Sequence, residues 1–196
     1  MEVFGTIVRF FQNGGLFMYP IVIILAIGLA IAIERYIYLT RSESGNRKLW
    51  EKLQPLLSSG DYAGAFEVAS KSDAAVGQVL AYGISRLRTS TNRQDVEMSM
   101  EESLLEVTPQ LEKRTHYLAV LANVATLLGL LGTIMGLIAG FTAVANVNPA
   151  EKADLLSASI SVAMNTTAFG LIVAIPLLLL HAILQTRTTA LVDSIE

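Results

Sequence analysis

No cysteine occurs among the 196 residues. That excludes a disulfide framework, a Cys-x-x-Cys redox motif and a thiolate metal site. Histidine is nearly absent as well: His116 and His181 are widely separated in sequence, so one chain offers no multi-histidine metal site. Charge is scarce, at 16% charged against 53% hydrophobic residues, where ordinary soluble domains carry about 25% charged residues. The mean hydropathy of +0.52 points the same way, to a membrane protein. The net charge is −3 and no basic stripe carries interleaved aromatics, so nucleic acid is not an expected partner. No nucleophile–base pair or phosphate-binding loop can be read, and neither an enzyme nor a cofactor is expected.

The charge that is present is unevenly placed. All Lys and Arg residues except Arg9, Lys152 and Arg187 fall between Glu34 and Tyr117. Three apolar runs flank that stretch, over residues 16–33, 118–145 and 160–184. At 1.5 Å per residue the shortest covers ~27 Å, close to the hydrocarbon thickness of a bilayer. The expected fold class is an all-α membrane protein with three transmembrane helices and long helices extending into a cytoplasmic helical bundle. A cleaved signal peptide carries its positive charge before the apolar core. Here Arg35, Arg41, Arg47 and Lys48 follow the first core instead. The positive-inside rule then places 34–117 and the C-terminal segment 185–196 in the cytoplasm. The N-terminal segment 1–15 and the 146–159 loop fall outside. Within residues 2–12, Val3, Phe4, Ile7, Val8 and Phe11 recur at helical spacing. They read either as an interfacial amphipathic helix or as a frayed lead-in to the first span.

Between the first two spans the pattern is helical throughout. Leu49, Trp50, Leu53, Leu56 and Leu57 form one apolar face, Ser58-Ser59-Gly60 interrupts it, and Asp61 reads as an N-cap. Tyr62, Ala65, Phe66 and Ala69 make the next face; Ser72 and Asp73 punctuate before Val76, Val79, Leu80, Tyr82, Gly83 and Leu87. After a polar turn, with Thr91 or Asn92 as cap, the pattern runs from Arg93 into the second span without a strong stop. A helix continuous to Phe141 would be ~70 Å long, with Pro109 as the one expected kink.

Four glycines, Gly129, Gly132, Gly136 and Gly140, punctuate the second span. Three of them are four apart, a small-residue face that lets helices approach closely in lipid, and helix packing is their expected role. Thr126 and Thr133 share a neighbouring face. The outer half of the third span is polar: Ser157, Ser159, Ser161, Asn165, Thr166 and Thr167. Ser159, Ala163, Thr166 and Gly170 share one of its faces. An amide in hydrocarbon needs a partner or water. An inter-helix hydrogen bond accounts for Asn165 by itself, whereas the whole polar cluster, opposite a threonine of the second span, points to a hydrated interior surface. No span carries Asp, Glu, Lys, Arg or His in its middle. Proton relays need a titratable intramembrane group, so any proton handling requires an acid supplied by another polypeptide.

Met18-Tyr19-Pro20, Glu34-Arg35, the run Leu127-Leu128-Gly129-Leu130-Leu131-Gly132-Thr133, and Thr166-Thr167-Ala168-Phe169-Gly170-Leu171 with Ala174-Ile175-Pro176 occur in this order along the chain. Together they resemble the MotA/TolQ/ExbB proton channel family, and with three spans rather than four its ExbB/TolQ branch. The resemblance implies a homo-oligomeric, pentameric ring in the bacterial inner membrane. The ring surrounds the helices of an ExbD/TolR-like subunit that brings in an aspartate. Channel-lining roles are implied for Thr133 and Thr167, with Thr166, Asn165 and Thr126 beside them. Proton flow would drive a motor acting through a TonB- or TolA-like protein on the outer membrane. Two departures stand out: Val162 occupies a position where many relatives carry glutamate, and Thr126 one where many carry proline. A non-conducting membrane scaffold is the alternative reading.

Overall fold

The computed structural model describes residues 10–11, 14–90, 92–145 and 147–196. Most of the expected amphipathic stretch 2–12, and Thr91 as a candidate cap, lie outside them. Among the described residues every regular element is helical: α1 (Met18–Ser58), α2 (Tyr62–Ser70), α3 (Ala75–Leu87), α4 (Arg93–Glu112), α5 (Thr115–Val144) and α6 (Pro149–Asp193). Three stretches, Met18–Ser58, Arg93–Val144 and Pro149–Asp193, are long and apolar enough to cross a bilayer. Within their most apolar windows only 22–28% of residues are buried by the chain itself. The chain is a multi-pass membrane protein whose span surfaces are left for lipid or other subunits to cover.

The helix ends follow local chemistry. Gly60 adopts φ 77°, the left-handed conformation that glycine takes without a Cβ penalty. There the Asp61 amide donates to the Leu56 carbonyl at 3.0 Å and the Gly60 amide to Leu57 at 3.2 Å, a Schellman closure of α1. One residue on, the Asp61 carboxylate accepts from the Gly64 amide at 2.9 Å and opens α2. Asn92 likewise accepts from the Gln94 amide at 3.1 Å and opens α4.

Two expectations are corrected. The helix from Arg93 into the second span is interrupted: Lys113 leaves helical geometry and Arg114 sits at φ 66°. Pro109 does lie inside α4, but the break comes one turn later. In an unbroken helix the Leu111 carbonyl would accept from the Thr115 amide. Instead the buried Arg35 guanidinium of α1 donates to it, so a side chain meets the backbone demand and the break is tolerated. The 146–159 segment, expected as a loop, is mostly the start of α6. Pro149 is the first residue of that helix, where its missing amide is no loss, and Glu151 lies in the first turn, favourable to the helix dipole.

The chain divides into two compact units, Met1–Ala32 with His116–Ala182, and Ile33–Thr115 with Ile183–Glu196. In the first, Met18, Ile21, Leu118, Ala122, Ala163 and Leu177 are fully buried where the membrane-spanning portions of α1, α5 and α6 pack. The second unit has its core in Leu49, Leu53, Ala65, Ala69 and Ile84, with Phe66 and Leu80 partly buried against it. Leu49, Leu53, Ala65 and Ala69 are among the apolar positions whose helical spacing is visible in the sequence; Ile84 was not singled out there, and Tyr82 and Leu87, which were, are exposed.

Candidate functional site

The site is built on the seam where α5 and α6 come together in the first unit. A Cβ placed on Gly129 would lie 3.3 Å from the Gly170 Cα, the Thr166 carbonyl oxygen and the Thr167 Cα. The neighbours there are backbone, which cannot swing aside. Successive turns towards the α5 C-terminus repeat this: a Cβ on Gly132 would meet Thr166, on Gly136 it would lie 3.0 Å from the Ala163 Cβ, and on Gly140 2.5 Å from the Ser159 Cβ. The glycine face of α5 therefore lies along the Ser159, Ala163, Thr166, Gly170 face of α6, small residue against small residue.

At the edge of this seam Thr133 and Thr167 meet. Their hydroxyl oxygens are 2.6 Å apart. Both also reach the Gly129 carbonyl, Thr133 at 3.1 Å and Thr167 at 2.9 Å. Each threonine is half-buried, so the pair is neither sealed in the seam nor fully exposed. Two protons serve three contacts. Either Thr133 donates to the Gly129 carbonyl and Thr167 donates to Thr133, or the roles are exchanged. In both arrangements the two protons are used within the cluster. What remains free is lone pairs on both hydroxyl oxygens, so the pair presents acceptors and no donor.

The other candidates are placed differently. Thr166 is only 1% exposed. Its hydroxyl lies 2.5 Å from the Gly14 carbonyl and 2.9 Å from the Val162 carbonyl, away from the pair. Thr126 is exposed and donates back to the Ala122 carbonyl at 3.1 Å, the usual habit of a lone hydroxyl on a membrane helix. Asn165 is half-buried, and among the described residues its amide has no hydrogen-bond partner. Val162 faces the N-terminal turn: its Cγ1 would be 3.2 Å from a Cβ on Gly15. Of the five polar candidates, the structure links only Thr133 and Thr167 to each other.

Two participants escape a reading of side chains. The Gly129 carbonyl is the shared acceptor, and the Gly14 carbonyl holds Thr166. Backbone groups carry no sequence signal beyond the glycine that allows close approach. Phe169, inside a quoted motif but without an assigned role, packs edge-on against Phe10 and Phe11 at ring separations of 6.3 and 6.1 Å. Among the described residues no group of three or more His, Cys, Asp or Glu could hold a metal ion.

The chain as a whole is similar to several known proteins. Over 198 aligned residues the chain is 28% identical to a biopolymer transport protein ExbB homolog of Methanothermobacter thermautotrophicus, spanning 100% of this chain and 69% of that protein. The biopolymer transport protein ExbB of Pseudomonas putida is 25% identical over 173 residues, 82% of this chain but only 52% of its own length. That of Aquifex aeolicus is 33% identical over 102 residues, 52% of this chain and 66% of its own. Residues 71–196, which include α5, α6 and the threonine pair, match the family as a whole, and the chain belongs to the MotA/TolQ/ExbB proton channel family.

Proposed function

We propose that this protein is the channel-forming subunit of a proton-driven motor in the bacterial inner membrane. Several copies, five by the family resemblance, form a ring around the helices of an ExbD/TolR-like subunit. That subunit supplies an aspartate at the level of Thr133 and Thr167. The cytoplasmic bundle is the second unit, the N-terminus lies on the periplasmic side and the C-terminus in the cytoplasm. Work is passed through a TonB- or TolA-like protein to the outer membrane. The helix-packing glycines hold α5 and α6 together so that the hydroxyl pair keeps its geometry.

The observation that carries this reading is the half-buried Thr133–Thr167 pair on spans whose interiors hold no ionisable residue. A hydroxyl pair with both protons engaged offers an acceptor, which suits a protonated carboxyl. To receive a carboxylate, one hydroxyl must turn away from the Gly129 carbonyl. Exchanging such neutral hydrogen bonds involves about 1 kcal/mol. That is smaller than the ~2.3 kcal/mol per 100 mV gained by a charge crossing the membrane. The pair can therefore distinguish the two forms of the acid without trapping either. Asn165 adds polarity to the same half of α6 and Thr126 extends the α5 side, while Thr166, sealed on the Gly14 carbonyl, braces α6 behind the pair.

The test is proton flux in liposomes holding the protein with and without its ExbD-like subunit, followed with an entrapped pH dye. Flux should require the partner. It should fall roughly tenfold or more in Thr133→Val or Thr167→Val, the loss of a hydrogen bond worth ~1.4 kcal/mol at the barrier, while ring assembly is unchanged. Equal flux without the partner refutes the borrowed acid. Undiminished coupled work in both valine variants would leave the non-conducting scaffold as the surviving reading.

A further inference from the structure

We propose that the protein holds the phosphate group of an anionic phospholipid at the α4–α5 break, at the level where the first span ends. This is independent of proton conduction and needs only the membrane topology. A cavity of about 310 Å³ opens there, lined by Glu34, Arg35, Tyr38, Gln110, Lys113 and Arg114. Three cations face one carboxylate, and that carboxylate is engaged by Arg114 at 3.5 Å. Among the described residues Lys113 has no ion-pair partner. Arg35 is only 2% exposed, with its guanidinium 4.7 Å over the Tyr38 ring.

The donor count exceeds what the protein uses. Arg35 donates to the Leu111 carbonyl, yet its Nε is buried with no partner, and so is the hydroxyl of Thr115 at the same break. Buried polar groups are otherwise satisfied. Around this cavity lie guanidinium, ammonium, amide and phenol donors in excess of acceptors. The complementary ligand is a compact anion with several acceptor oxygens. Position identifies its source. Glu34 directly follows the apolar run 16–33, and Arg114 lies only a few residues before the run that starts at Leu118. The cavity therefore sits where a bilayer presents its phosphates, the setting in which basic pockets between helices bind anionic headgroups. Arg114 is held at φ 66°, a conformation uncommon for a non-glycine residue, and that geometry sets a cation beside the cavity.

The experiment uses the full chain in nanodiscs of phosphatidylcholine with phosphatidylglycerol, and native mass spectrometry to score retained lipid. The wild type should retain phosphatidylglycerol in preference to phosphatidylcholine. The double variant Lys113→Gln with Arg114→Asn, which keeps Arg35 and places at 114 a residue tolerant of positive φ, should lose that preference roughly tenfold or more. Lys113→Arg should retain it. Neutralising Lys52 and Lys71 instead, the same change in net charge, should leave it intact. An equal loss in that control would reveal only a diffuse basic field and overturn the proposal. An unchanged preference in the double variant overturns it too. Inorganic phosphate stabilising the protein in pure phosphatidylcholine as strongly as phosphatidylglycerol does would show a free-anion site instead of a lipid site.

Discussion

Thr133 and Thr167 differ from the other hydroxyls of the spans in having each other. Thr126, Thr142 and Ser159 each donate back to a carbonyl of their own helix, the last two at 2.8 and 3.0 Å. That bond satisfies the hydroxyl and leaves little for chemistry. The 2.6 Å contact between Thr133 and Thr167 ties two helices at one point. Serine keeps the hydroxyl and drops only the methyl, so Thr133→Ser should retain most of the flux that Thr133→Val loses. Equal losses in Ser and Val variants would mean that packing, and not the hydroxyl, matters. Thr166 makes a different prediction. Its hydroxyl is buried on the Gly14 carbonyl, so Thr166→Val should lower stability by about 1–3 kcal/mol through an unsatisfied buried carbonyl. Denaturation of the purified protein in detergent measures that.

Among the elements, glycine has two opposite meanings. Gly45 lies inside α1 with no atom within 4 Å of where a Cβ would go. Gly45→Ala should stabilise the protein by about 0.5–1 kcal/mol through helix propensity alone. Gly129→Ala puts the same methyl 3.3 Å from three backbone atoms of α6. It should destabilise by about 1–3 kcal/mol and reduce flux by moving the Gly129 carbonyl that both threonines share. A thermal melt of the two variants side by side separates these effects, since both add one methyl to a helix. The capped helices of the second unit allow a conventional test. Leu53 is fully buried in the α1–α2–α3 core, and Leu53→Ala should cost about 2–5 kcal/mol. It should leave Thr133–Thr167 chemistry untouched wherever the protein still assembles.

Taken whole, one chain leaves large apolar surfaces uncovered. Leu127 and Phe141 on α5 and Leu179 on α6 are about 60% exposed, at 62%, 60% and 61%. Lipid can cover such residues, but lipid gives nothing to the half-buried hydroxyls beside them. This contrast supports the proposed ring, in which one side of α5 and α6 meets bilayer and the other meets polar groups of further subunits. The corresponding expectation is that cysteine introduced at Thr126 crosslinks or becomes water-accessible only from the lumen, while cysteine at Leu127 is reached by lipid-soluble reagents. With no native cysteine in the chain, single-cysteine labelling in membranes reads this directly.

The sequence by itself determined the three spans and most of the helix ends, though not the break at Lys113–Arg114 or the helical start of α6 at Pro149. Apolar runs free of charge define three spans, because burying charge in hydrocarbon is costly wherever the run finally sits. Asp61, Asn92 and Gly60 define helix ends through bonds to residues two to five positions away. The glycine face of α5 and the small-residue face of α6 were also legible, since helical periodicity puts each on one side. The family resemblance singled out Thr133 and Thr167; only the tertiary structure decided which of several similar hydroxyls touch. Thr166 and Thr167 are neighbours in sequence, yet one is sealed against Gly14 and the other meets Thr133, because α6 turns by about 100° per residue. The break at Lys113–Arg114 was equally hidden. Its backbone demand is met by Arg35, 76 positions away from Leu111, and no local pattern records a partner at that distance.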